Sequence, residues 1–105
     1  MMTKTIMLVC SAGMSTSLLV NRMEKAADER GEDVKIFATA SADADGPLET
    51  EHPDVLMLGP QVRYMLPTFE AKVHIPVQVI DMRDYGLMNG AKVLDAALTA
   101  IAAHA

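Results

Sequence analysis

The sequence predicts an α/β fold: one domain over residues 1–105, with a four-stranded parallel sheet and helices on both faces. Three observations predict it. Four short, bounded apolar runs recur along the chain, at residues 5–9, 34–37, 54–58 and 77–80. They alternate with segments whose apolar residues return at helical spacing, the pattern of parallel strands joined by right-handed crossovers. The runs are continuous in apolar character, as expected of strands covered on both sides. The 105 residues suffice for one compact domain and not for two.

Thr5-Ile6-Met7-Leu8-Val9 reads as the first buried strand. A helix follows from Leu18 to Arg30, with Leu19, Met23, Ala26 and Ala27 on one face. Gly31 stands where a left-handed residue closes a helix, and Arg30 suits the negative end of the helix dipole. Val34-Lys35-Ile36-Phe37 is the second strand. Between Thr39 and Pro53 alanines and acids alternate, Gly46-Pro47 breaks the pattern, and a short helix is expected from Pro47. Asp54-Val55-Leu56-Met57-Leu58 is the third strand, closed by Gly59-Pro60. From Pro60, Val62, Met65, Leu66 and Phe69 recur at helical spacing, and Pro67 should kink that helix or divide it in two. Val77-Gln78-Val79-Ile80 is the fourth strand. A last helix is expected over Leu87 to Ala103, burying Val93, Leu94, Ala97, Leu98 and Ile101.

Composition excludes several function classes. Half of the residues are hydrophobic and 22% are charged, an ordinary globular balance, while aromatics are scarce at 4%, so the core must be aliphatic and Met-rich. Net charge is −5 with no basic cluster, which argues against nucleic acid and anionic membrane surfaces as partners. No apolar run approaches the ~20 residues that span a bilayer, and the N-terminal one is too short for a signal peptide. A single cysteine forbids an internal disulfide and fits a reducing compartment, so a cytoplasmic location is expected. His52, His74 and His104 are scattered, with no metal-ligand spacing.

The chemistry is concentrated in Cys10-Ser11-Ala12-Gly13-Met14-Ser15-Thr16-Ser17, between the first strand and the first helix. Backbone N–H groups at a helix N-terminus, with the dipole behind them, form an anion site. Gly13 lets the chain curl, and Ser15, Thr16 or Ser17 can cap the helix or donate to an oxyanion. Those donors would stabilise a thiolate at Cys10, making it a nucleophile beside a phosphate cradle. The plainer alternative, a small apolar side chain at a strand end, is the common fate of cysteine. In a parallel sheet, ligands bind beyond the carboxyl ends of the strands. That edge should also carry Gly59-Pro60-Gln61 and the loop from Asp81 to Gly86. Gln61 could donate to phosphate or merely open a helix. Asp81, Asp84 and Tyr85 more often satisfy loop backbone groups than act directly. Met14 at the loop tip suits an adaptable contact for a docking partner.

The run Val9-Cys10-Ser11-Ala12-Gly13-Met14-Ser15-Thr16-Ser17-Leu18-Leu19-Val20 resembles the active-site segment of the lactose/cellobiose-type enzyme IIB of the bacterial sugar phosphotransferase system. Leu58-Gly59-Pro60-Gln61, Tyr64-Met65-Leu66-Pro67, Val79-Ile80-Asp81, Tyr85-Gly86 and Val93-Leu94 are similar to the same family, whose likeness is weakest over residues 40–53. The resemblance implies a phosphoryl relay. Cys10 would take a phosphoryl group from a phosphohistidine of enzyme IIA and pass it to a sugar held by the membrane-embedded enzyme IIC. Residues Ser11 to Ser17 would form the cradle, with Gln61, Asp81 and Tyr85 in support. No cofactor is implied. The sugar is selected by enzyme IIC; cellobiose, chitobiose and other β-linked disaccharides fit, lactose less well. A relay that meets two partners in turn is most simply a monomer.

Two alternatives compete. Small cysteine phosphatases place an arginine six residues after the cysteine, followed by Ser or Thr. Here Thr16 occupies the arginine position, with Ser17 after it, and the bidentate clamp on phosphate is lost. A IIB-like regulatory module without turnover would be expected to sit beside a DNA-binding helix pair, and the chain has none.

Overall fold

The computed structural model describes residues 3–11 and 14–104; of Met14 and Ser15 it describes the backbone alone. Strand β1 runs Lys4–Cys10, β2 Val34–Ala40, β3 Val55–Leu58 and β4 Val77–Val79. All are parallel, in the order β2-β1-β3-β4. The expected class and architecture stand. Helix α1 spans Met14–Arg30, α2 Asp45–Glu51, α3 Leu66–Lys72, α4 Met82–Gly86 and α5 Gly90–His104.

Side-chain alternation along the central strands divides the core in two. Ile6 and Leu8 of β1, with Val55 and Met57 of β3, pack against Leu19, Met23 and Ala27 of α1 and Val93, Leu94 and Ala97 of α5. Met7 and Val9, with Leu56 and Leu58, face Val62 and Phe69 on the opposite side, where Leu48 of α2 also packs. Each fully buried aliphatic side chain contributes about 1.5–3 kcal/mol. Right-handed crossovers account for the sorting of helices. The connection β1 to β2 runs one way along the sheet, while β2 to β3 and β3 to β4 run the other, so α1 lies on one face and α2 and α3 on the other.

Several boundaries differ from the sequence reading, each for a physical reason. Strand β2 continues three residues past Phe37, because Ala38, Thr39 and Ala40 pair with Leu8, Val9 and Cys10. Pairing with a central strand overrides the weak strand tendency of alanine. Helix α2 starts at Asp45, two residues before Pro47, after a single 3-10 turn at Ser41–Asp43; a proline is tolerated in the first turn, where its missing N–H has no helical acceptor. The segment after Gly59 is divided as expected, into a 3-10 turn at Pro60–Met65 and helix α3, and Pro67 lies at the start of α3.

The helix expected from Leu87 starts three residues later, as α5 at Gly90. The loop expected from Asp81 to Gly86 is mostly the short α4, and the chain breaks at Leu87–Asn89, where Met88 adopts φ 52°. Asn89 then caps α5, its side-chain oxygen accepting from Lys92 N at 3.2 Å. Helix α1 ends as expected: Gly31 has φ 68°, its N–H donates to Asp28 O at 3.2 Å, and Glu32 N donates to Ala27 O at 2.9 Å. That pair of bonds is the Schellman closure.

Candidate active site

The chain reverses direction along the sheet between β1 and β3, and it is at such a switch point that parallel α/β sheets open a crevice at their carboxyl ends. Cys10 is the last residue of β1 and Gly59 follows the last residue of β3, so both stand at the mouth of that crevice. The two strand ends are tied by Gly59 N donating to Val9 O at 2.8 Å. A Cβ built on Gly59 would lie at ordinary contact distance, 3.6 Å, from Cys10 Cβ and closer, 3.0 Å, to Gln61 Oε1.

Cys10 is 1% exposed. By strand alternation it shares the face of Ile6 and Leu8, the one that α1 covers. Its Sγ lies 3.8 Å from Thr39 O, on the neighbouring edge of β2. Ser11 is exposed in a bend after the strand. Ala12 and Gly13 lie outside the described residues, as do the side chains of Met14 and Ser15, so the expected curl at Gly13 and the docking contact of the Met14 side chain fall there too, while the Met14 backbone opens α1 instead of forming a loop tip. Helix α1 begins four residues earlier than its sequence periodicity suggests. Met14, Ser15, Thr16 and Ser17 therefore form its first turn, where N–H groups have no acceptor within the helix. Ser17 is exposed.

Thr16 is the buried polar residue among the described side chains of this turn, 1% exposed, with Oγ1 3.4 Å from the hydroxyl of Tyr85. Tyr85 belongs to α4, its ring packed in the core between the sheet, α1 and α5, and is 7% exposed. Asp81 caps α4: its Oδ1 accepts from Arg83 N at 2.9 Å and Asp84 N at 3.1 Å. Thus Cys10, Thr16, Tyr85 and, across Gly59, Gln61 converge on one sheet edge, whereas Asp81 turns its carboxylate onto its own helix. An open groove of about 770 Å³ adjoins them, lined by Gln61, Arg63, Tyr64, Met82 and Tyr85 among others. Tyr64 is 75% exposed there.

Sequence reasoning missed Thr39, because the second strand was expected to end at Phe37. It also missed that Gly59, which reads in sequence only as a turn residue, ties the end of β3 to β1 through its N–H. His52, His74 and His104 are exposed, and the described residues hold no group of three or more His, Cys, Asp or Glu that could bind a metal. No helix among them is long and apolar enough to cross a membrane.

Fold and site together define a class: a parallel α/β domain of order 2-1-3-4 with a cysteine at its switch point, next to the N-terminus of its first helix. Residues 5–96 match the model of the lactose/cellobiose-specific IIB subunit of the phosphotransferase system (PTS). The chain belongs to that family and is a IIB component of sugar transport, with the transferase role and the IIA and IIC partners that membership implies.

Relatives agree. The galactose-specific EIIB component of Lactococcus lactis subsp. cremoris is 53% identical over 90% of this chain and 93% of its own. The cellobiose-specific EIIB component of Lactococcus lactis subsp. lactis is 52% identical over the same shares. The cellobiose-specific IIB protein of Borrelia burgdorferi, known in solution, superposes with a TM-score of 0.80 at 37% identity, covering 99% of this chain and 96% of that one. The lactose-specific IIB domain of Streptococcus pneumoniae shares the fold, with a TM-score of 0.79 at 16% identity over 94% of this chain and 98% of that one.

Proposed function

We propose that Cys10 carries the phosphoryl group between the two partners. The thiolate of Cys10 attacks the phosphorus of a phosphohistidine on enzyme IIA; the S–P bond forms as the P–N bond breaks, and the departing imidazole takes up a proton. A hydroxyl oxygen of the sugar held by enzyme IIC then attacks the same phosphorus. The O–P bond forms, the S–P bond breaks, the hydroxyl loses its proton, and the thiolate is restored. Covalent catalysis divides one difficult transfer into two.

The observation that carries this reading is the position of the chain's one cysteine, at the switch-point end of β1 and beside the first turn of α1. Phosphoryl transfer demands mainly positioning and stabilised oxygens, which the N–H groups of a first helical turn and a helix dipole supply. The cradle is Ser11, Ala12, Gly13, Met14, Ser15, Thr16 and Ser17, acting chiefly through backbone N–H groups, with Gln61 at its rim. Enzyme IIA docks over the groove at Tyr64, which lets its histidine approach the strand end. The protein works as a monomeric domain on the cytoplasmic side. The final acceptor is a sugar of the kind named for its relatives, cellobiose and galactose, with a β-linked disaccharide such as cellobiose or chitobiose as the first choice.

The deciding experiment is intact mass after incubation with phosphoenolpyruvate and the upstream phosphotransferase proteins, for wild type and Cys10→Ser. The expected result is one added phosphate on the wild type alone. No added phosphate, together with steady release of phosphate from an aryl phosphate, overturns the relay in favour of a cysteine phosphatase. Silence in both assays leaves a IIB-like module without turnover.

A further inference from the structure

We propose that Tyr85 is a positioning residue for phosphoryl transfer, acting through Thr16 on the first turn of α1. The inference rests on the relay reading above and adds a role that Cys10 chemistry alone does not require.

Thr16 lies in the one turn of α1 whose N–H groups point out of the helix toward the strand end. A threonine there can turn its hydroxyl back onto nearby backbone, competing for those same groups. Its hydroxyl instead meets that of Tyr85 at 3.4 Å, across 69 positions of sequence, with both residues buried. The far end of this contact is held firmly. The Tyr85 ring is fixed among the side chains of the α1/α5 core, and the backbone of α4 is fixed by the Asp81 cap. The hydroxyl pair therefore sets the rotamer of Thr16 and the orientation of the turn that carries it. A charge-stabilising cradle works only when its donors are aimed in advance, and a small misplacement costs rate without abolishing binding. The hydroxyl contact itself is buried, although another part of Tyr85 lines the docking groove, so removing the oxygen alone is expected to act on the transfer step and not on association.

The test compares wild type, Tyr85→Phe and Tyr85→Phe/Thr16→Val in single-turnover transfer from phosphorylated enzyme IIA over a range of IIA concentrations, alongside thermal melts. Tyr85→Phe keeps the ring and removes the oxygen. The expected result is a maximal rate lower by on the order of tenfold, with the half-saturating IIA concentration unchanged. The double variant also removes the Thr16 hydroxyl that Tyr85→Phe leaves behind and should regain part of the melting temperature lost by Tyr85→Phe, while its rate stays low. A merely structural role would let rate recover with stability, which overturns the inference. So does a rise in half-saturating concentration at constant maximal rate, or wild-type behaviour of Tyr85→Phe; in those cases the relay still stands. Absence of transfer in the wild type overturns both.

Discussion

Gly90 and Arg22 meet backbone to backbone: a Cβ built on Gly90 would stand 2.4 Å from the carbonyl carbon of Arg22 and 2.6 Å from Met23 N. The start of α5 is thereby set against the middle of α1 at a distance only glycine permits. Arg22 strengthens the junction by donating from Nη1 to Met88 O at 3.3 Å. Two opposing effects decide what alanine would do at position 90. Helix propensity favours it by about 1 kcal/mol. Overpacking against rigid backbone opposes it by about 1–3 kcal/mol, and no side chain is available to give way. Packing wins, because the atoms met are main chain.

Gly90→Ala is accordingly expected to destabilise the domain by up to about 2 kcal/mol, lowering the melting temperature by up to roughly 16 °C for a domain of this size. Thermal unfolding followed by circular dichroism checks it. A rise in melting temperature would mean that α5 does not approach α1 this closely.

Asp81→Ala should cost about 1 kcal/mol, the usual worth of an N-cap side chain. Both N–H groups it serves, of Arg83 and Asp84, lie within five residues of helix. Because α4 carries Tyr85, the loss should also slow phosphoryl transfer, and Asp81→Asn, which keeps an acceptor oxygen, should restore most of both. Urea unfolding and the single-turnover assay together distinguish a capping role from a direct one. A variant of full stability and no activity would assign Asp81 to the chemistry instead.

Much of this arrangement was legible in the sequence, and the exceptions share a cause. The runs at Ile6–Val9 and Val55–Leu58 are uniformly apolar because those strands are covered on both faces, so periodicity reveals them directly. Gly31 declares the end of α1 because a left-handed residue is needed there. The start of α1 was hidden: Ser15, Thr16 and Ser17 have the composition of caps yet lie inside its first turn. The break before α5 was hidden too, since Met88 takes a left-handed conformation that its side chain does not advertise. The extension of β2 to Ala40 depends on its partner strand, and no local pattern encodes a partner. Within the site, Cys10 was found by its uniqueness and its neighbours. Thr39 was not, because its carbonyl, an atom every residue possesses, is what faces Sγ.

Tyr64→Ala should leave stability nearly unchanged, as its side chain is largely in solvent. Its effect is expected on association. Exposed tyrosines at an interface supply large contact area at low entropic cost, and truncating one commonly costs 1 kcal/mol or more, about a fivefold loss. The half-saturating concentration of enzyme IIA should rise by about that factor with the maximal transfer rate unaltered, opposite to the pattern for Tyr85→Phe. An unchanged half-saturating concentration would remove the groove from the docking face.

Gly59→Ala tests Gln61 without altering it. The backbone at Gly59 has φ −61° and ψ 150°, open to any residue, so alanine meets no conformational penalty. The atom it crowds most is Gln61 Oε1, at 3.0 Å, the far end of a flexible exposed side chain that can swing aside at little cost. Val9 O and Cys10 Cβ, at 3.5 and 3.6 Å, remain at ordinary contact distance. The variant should therefore fold with near wild-type stability while displacing the Gln61 amide from the strand end. If that amide donates to the phosphoryl group, Gly59→Ala and Gln61→Ala should each lower the transfer rate by about tenfold, the worth of one hydrogen bond to a charged group. Their combination should lower it no further, because both remove the same donor. Full activity in Gln61→Ala with a slow Gly59→Ala would place the effect on Cys10 itself, through the added methyl group beside its Cβ.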